Sequence, residues 1–296
     1  MPANLQEMPA FLLLPALLAL LPQDPGPATD LQRLSERVDA VHYPDGRPKR
    51  LESFRADLSI EEAAADASQR GQAELRSMFR EWQPEGAKVS RPLIRYSVVD
   101  AGQPIERGCD RDGWWELFQG EPRDLTARDL AESLKAAQRD TKLARQLLRF
   151  MDPGAVLRTL QDAGAVVEET LQVGRTEPVP CQVATGRLAA FPLLEQEGDA
   201  VPVAARIFVH RDTGRLVAIE ARPLDAEGKP DAGRGEFLRF EEHEKQGPAL
   251  LPRMLVHYRL DANGKRMLQR KVRLVQITLG AELRVEDFDR PRRKPS

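Results

Sequence analysis

Cysteine, histidine and aromatic residues are all scarce, with two cysteines, four histidines and 5% aromatics in 296 residues. Each shortage excludes a chemistry. Two thiols with no CxxC cannot build a zinc site alone. The histidines, His42, His210, His243 and His257, show no HxH or HxxxH spacing, so the local ligand pairs of a metal centre are missing. Neither Ser90 nor Ser97 lies in a G-x-S-x-G context. No P-loop occurs, and the isolated Gly108 and Gly113 form no dinucleotide fingerprint. Asp110-x-Asp112-Gly113 lacks the third ligand that a calcium loop places before its glycine, so it reads as a turn. A net charge of −2 argues for neither nucleic acid nor an anionic membrane as partner. No enzyme, no cofactor and no metal is therefore expected. A hydrolase would have to be assembled from scattered carboxylates such as Asp110, Asp112, Asp287 and Asp289.

What is present is an ordinary globular balance, with 41% hydrophobic and 30% charged residues. Residues 9–22, PAFLLLPALLALLP, are shorter than the roughly 20 residues a membrane span needs. Followed by a polar, Pro-rich stretch, they read as the core of a secretory signal over residues 1–23. Glu7 and the lack of Lys or Arg upstream depart from that pattern; a start at Met8 removes Glu7. A buried N-terminal helix is the competing reading, opposed by the prolines in the run. The expected product is periplasmic or otherwise exported, with no stable transmembrane anchor after processing. In an oxidising compartment Cys109 and Cys181 can form one disulfide; two separate buried thiols is the alternative. Residues 292–296 belong to a basic, solvated tail.

Residues 30–42 have apolar positions at helical spacing, with Asp30 as a cap. Strand patterns then follow one another: 51–60, 73–82 (whose pattern also allows a helix), 91–99, 104–109 and the segment from Trp114, the last two joined across Asp110–Gly113. Residues 124–163 change to a helical period. Thr126 and Asp129 resemble a capping box, Asp152-Pro153 starts a second helix and Gly164 is placed to end it. Strand patterns resume at 165–173, 178–188, 203–211, 215–222, 235–243, 252–260 and 266–279. In the last, the apolar phase shifts from Leu268, Val272 and Leu274 to Val275, Ile277 and Leu279, which predicts a bulge near 274. No βαβ alternation occurs. The expected fold is mainly β (α+β): a strongly curved antiparallel sheet or unclosed β-barrel with helices covering its concave face. Residues 30–291 make one such half-barrel domain, with the helical insert at about 124–163.

The order of these elements resembles a known superfamily. A helix precedes Ser53-Phe54-x-Ala56; a glycine turn leads into Asp112-Gly113-Trp114-Trp115; a helical insert follows; and a long antiparallel run ends in Leu274-Val275-Gln276-Ile277 and Asp287-Phe288-Asp289-Arg290-Pro291. This layout resembles the periplasmic lipoprotein carriers and outer-membrane lipoprotein-sorting proteins (LolA-like). The resemblance implies an unclosed barrel plugged by helices, a cavity for acyl chains and no enzymatic activity. In those carriers an arginine on a strand near the cavity helps control the lid, and that role is assigned to no arginine here. Arg239, Arg253, Arg270 and Arg273 make the strands more charged than expected for shuttling lipoproteins.

The expected function is therefore a non-enzymatic cell-envelope protein binding lipid or lipoprotein acyl chains in an apolar cavity. Phe54, Ile94, Tyr96, Trp115, Met254, Val256 and Tyr258 are the candidate lining residues. The alternative is a structural or interaction module of the envelope with a filled core and a protein partner.

Overall fold

The computed structural model describes residues 27–47, 51–63, 72–88, 90–100, 103–173, 176–191 and 201–291. The leader at 1–23 and the tail at 292–296 lie outside the described residues. Among the described residues thirteen strands form one sheet. They are β1 (Ser53–Glu62), β2 (Gln72–Trp82), β3 (Arg91–Asp100), β4 (Gln103–Cys109), β5 (Trp114–Phe118), β6 (Glu121–Asp124) and β7 (Val167–Leu171). After these come β8 (Val179–Leu188), β9 (Val203–His210), β10 (Leu216–Pro223), β11 (Gly235–Gln246), β12 (Ala249–Leu260) and β13 (Arg266–Leu279). Their order in space is β6-β5-β4-β3-β2-β1-β13-β12-β11-β10-β9-β8-β7, antiparallel throughout. Every neighbour is next in sequence except β1 and β13, which bring the two halves together. The edges β6 and β7 stay apart, so the barrel is unclosed.

That topology explains where the helices go. α1 (Pro27–His42) enters before β1, whereas α2 (Ala131–Phe150) and α3 (Pro153–Arg158) connect one sheet edge to the other. A chain passing from β6 to β7 must cross the opening, and its apolar stripe finds cover on the concave face. Leu34 and Val38 of α1, Leu148 and Phe150 of α2, and Val156 and Leu157 of α3 join one buried cluster with Phe54, Ile94, Ile207, Ile219, Leu238 and Leu255 of the sheet. Fully burying each such side chain contributes about 1.5–3 kcal/mol. Among the described residues no helix is long and apolar enough to cross a membrane.

The seam between α1 and α3 is close-fitting. Asp152 caps α3 by accepting from the Ala155 amide, with Pro153 in the first turn. A Cβ on Gly154 would fall 1.9 Å from Asp39 Oδ1, so a larger residue there would push the Asp39 carboxylate aside. Arg158 then reaches Asp39 at 2.6 Å, Arg47 Nε donates to Asp152 at 3.0 Å, and Tyr43 donates to the Met151 carbonyl at 2.5 Å.

The bulge lies where the phase shift predicts it. Asp57 pairs with Gln276 and Leu58 with Leu274, leaving Val275 as the extra residue, 52% exposed. A second shift, at Gln269, separates the His257–Arg270 pair from Tyr258–Leu268. Three local expectations need correction. The chain stays extended to Asp124 in β6, and the Asp124 carboxylate accepts from the Thr126 amide, so Thr126 is not a helix cap. α3 ends at Arg158, well before Gly164, whose amide instead donates to Thr185. The Cys109–Cys181 disulfide is absent: both thiols are free and buried. β4 and β8 stand nine strands apart in the sheet, and the two thiols belong to clusters on opposite faces.

A candidate apolar trough on the concave face

Directly paired residues of antiparallel strands share a face, and side chains alternate along each strand. These two rules sort the concave surface into rows. One is largely aromatic and is buried up to a partly covered Trp114: Phe54, Phe79, Ile94, Cys109 and Trp114, with the Phe54 and Phe79 rings stacked 5.6 Å apart. Two residues further along comes a polar row, Tyr96–Arg107–Glu116–Arg123. Beyond it lies a second apolar row, Leu274–Leu58–Leu75–Val98–Ile105. Leu274 and Leu58 are buried, but Leu75, Val98 and Ile105 are only partly covered. Ile60 and Val272 extend this half-covered apolar floor alongside. Phe118 stands 51% exposed at its rim.

The polar row is unusual for a concave interior. The Glu116 side chain is 5% exposed, accepting from Arg107 Nε at 2.9 Å and from Arg123 Nε at 2.8 Å. Burial pushes its pKa up, but the two guanidiniums outweigh burial and hold it below the usual carboxylate range. Burial likewise works against the charge of Arg107, yet its hydrogen bonds to Glu116 and Tyr96 raise its pKa overall. A second buried pair sits on the same face in the other half of the sheet, where His257 Nε2 and Glu236 Oε2 are 2.6 Å apart.

The expected lining residues divide between the two faces. Phe54, Ile94 and Tyr96 are on the concave side and in its core. Trp115, Met254, Val256 and Tyr258 are not, and this corrects the expectation for those four. Trp115 points away from Trp114 and lies over Gly108, fully buried on the opposite face. On β12, Leu255 joins the concave core, so its neighbours Met254 and Val256 face outward by alternation. Tyr258 packs with Phe237 in a separate outer cluster, ring centroids 6.0 Å apart. The sequence alternation identified a shared face correctly on β12 but not which face pointed inward.

Arg107, Glu116 and Arg123 were missed, although the register that unites them was readable. The turn at 110–113 pairs Cys109 with Trp114, and the next turn pairs Phe118 with Glu121. Counting outward from these turns places 107 opposite 116 and 116 opposite 123.

Three of the scattered carboxylates, Asp110, Asp287 and Asp289, hold local structure. Asp110 is buried and accepts from Arg290 Nε at 2.8 Å and from the Asp112 and Gly113 amides. Burial raises its pKa, but these donors win and lower it. Asp289 pairs with Arg111 at 3.1 Å, and Asp287 accepts from the Arg284 amide. These contacts hold the C-terminal segment against the β4–β5 turn, where Phe288 packs on Leu93. Among the described residues no three ligating side chains gather into a metal site. A polar cleft of about 250 Å³ near Glu168, Pro180 and Arg211 lies at the β7 edge, away from the trough.

No protein-family model matches the chain, and no curated protein matches it. Solved structures do. A LolA superfamily protein from Nitrosomonas europaea is 12% identical, over 88% of this chain and 98% of that one, with a TM-score of 0.38. An outer membrane lipoprotein-sorting protein domain from Vibrio parahaemolyticus is 9% identical, over 87% and 95%, with a TM-score of 0.40. A Pseudomonas aeruginosa MucA/MucB complex is matched at 13% identity over 88% of this chain and 61% of that one, with a TM-score of 0.23.

Proposed function

We propose that this chain is a non-enzymatic protein of the cell envelope that holds an acyl chain of a lipid or lipoprotein against the concave trough. The observation that carries the reading is the partly covered row Leu75–Val98–Ile105, with Ile60 and Val272 beside it, next to the buried core of the same face. Apolar side chains on the inner surface of a curved sheet normally complete the core, and here they stop short of doing so. Each methylene buried there would contribute about 0.8 kcal/mol, so a chain of ten or more carbons would bind usefully. Export through a cleaved leader at 1–23 is part of the proposal. Trough substitutions such as Val98→Lys test it: acyl-chain uptake falls while the fold is retained. Unchanged uptake would refute the trough as the site.

A second reading is an interaction module. It is favoured by the other half of the concave face, where α1 and α3 fill the space over Ile207, Ile219 and Leu238 completely. A protein partner would then dock on the outer surface, and the purified chain would take up no acyl ligand.

A further inference from the structure

We propose that the Tyr96–Arg107–Glu116–Arg123 row selects the head group, so that the trough takes single-chain amphiphiles with an anionic head. This rests on the trough reading above. Two guanidiniums share one carboxylate, so these four side chains carry one surplus positive charge beside an apolar floor. A charge in such surroundings interacts more strongly with an opposite charge than it would in water, and it is costly to leave unmatched. Arg107 is committed: it is largely buried and bonded to Glu116. Arg123 is not. It meets Glu116 through Nε and Nη2, which leaves Nη1 for a further acceptor. Its side chain is 36% exposed, and its guanidinium lies 4.3 Å from the centre of the exposed Phe118 ring. The cation is thus held flat at the trough rim with its outer edge open.

Guanidinium forks suit carboxylates and phosphates, which accept parallel N–H bonds, and Arg123 is pre-organised from below by Glu116. A ligand with its chain along Ile105, Val98 and Leu75 would bring its head group to Arg123, because the polar and apolar rows are adjacent. Glu116 faces the site with both its oxygens occupied by the arginines. Glu121, two residues from Arg123 on the same face of β6 and paired with Phe118, bounds the head-group position at the sheet edge.

Binding of dodecanoate, dodecyl phosphate and dodecanol to the full chain at pH 8 tests this. The two anions are expected to bind about tenfold more tightly than the alcohol. In Arg123→Gln that preference, read as the ratio of anion to dodecanol affinity, should drop below about threefold. The carboxylate and phosphate arms show which head the site fits better. Equal binding of alcohol and anions by the native chain overturns the head-group inference and leaves the trough standing. Failure of all three ligands to bind removes the trough reading itself. Arg123→Lys separates charge from fork geometry: it should keep part of the preference, and full loss in both variants with a native melting curve still supports the role of the guanidinium.

Discussion

His42 and His243 meet edge-on, ring centroids 5.6 Å apart and planes at 71°, where the end of α1 closes on β11. Both nitrogens of His42 are engaged. Nδ1 lies 2.7 Å from the Leu250 carbonyl, and Nε2 accepts from the Leu216 amide. This arrangement requires the neutral tautomer with its proton on Nδ1. Burial lowers the pKa of His42 to about 4, and Arg215 also lowers it, while the Leu250 bond and Asp152 work the other way. Burial, the neighbouring His42 and Arg215 lower that of His243 to about 3.

The first prediction is acid lability of the helical cover. Unfolded histidine titrates near 6.5, so below that pH the unfolded chain binds protons that the folded chain refuses. Stability is full above about pH 6.5 and falls as the pH drops toward 4, by about 3 kcal/mol for His42 alone. Urea midpoints between pH 7.5 and 4.5 should fall, and less so in His243→Leu. A midpoint that stays level across this range would contradict the burial of the pair.

A second prediction concerns Gly108. A Cβ there would fall 2.6 Å from the Trp115 ring and 2.7 Å from the Ile94 carbonyl. The ring can shift but the backbone oxygen cannot easily do so. Gly108→Val should cost about 3 kcal/mol in chemical denaturation, at the upper end for overpacking.

The thiols supply a third. Cys109 and Cys181 are buried, and burial raises each pKa to about 11. Both should resist a thiol reagent at pH 8 in the native chain, and both should react in urea without reductant. A single cross-link found under those conditions would contradict the separation of β4 from β8.

The Asp110–Arg290 pair gives a fourth. Asp110→Ala removes the acceptor of two turn amides and strands Arg290, so the melting temperature should drop with a loss of about 3 kcal/mol. Because its donors hold the Asp110 pKa low, its contribution is present above the ordinary carboxylate pKa and is lost as the pH falls below it.

Much of this fold was legible because antiparallel order leaves local marks. Asp110–Gly113 and Asp261–Gly264 announce hairpins, and the phase change around Val275 marks a bulge that the pairing of β1 with β13 contains. What the sequence left open was handedness of burial. Met254, Val256 and Tyr258 alternate as cleanly as Phe54 does, yet alternation alone cannot tell inside from outside when both faces carry apolar clusters. The arginine-rich outer surface explains part of this. Arg266 lies 4.1 Å from the centre of the Phe237 ring and Arg206 lies 5.0 Å from that of Phe208, so charged side chains cover apolar ones there. The polar row was missed for a related reason: Glu116 between two arginines reads as surface until the register folds it inward.

The central claim is that the concave trough holds an acyl chain, and lipid extraction of the purified full chain followed by mass spectrometry tests it most directly. A near-stoichiometric acyl ligand, greatly reduced in Leu75→Lys and Val98→Lys variants that melt normally, is the predicted result. A native chain that carries no acyl species and takes up none when dodecanoate is added would contradict it.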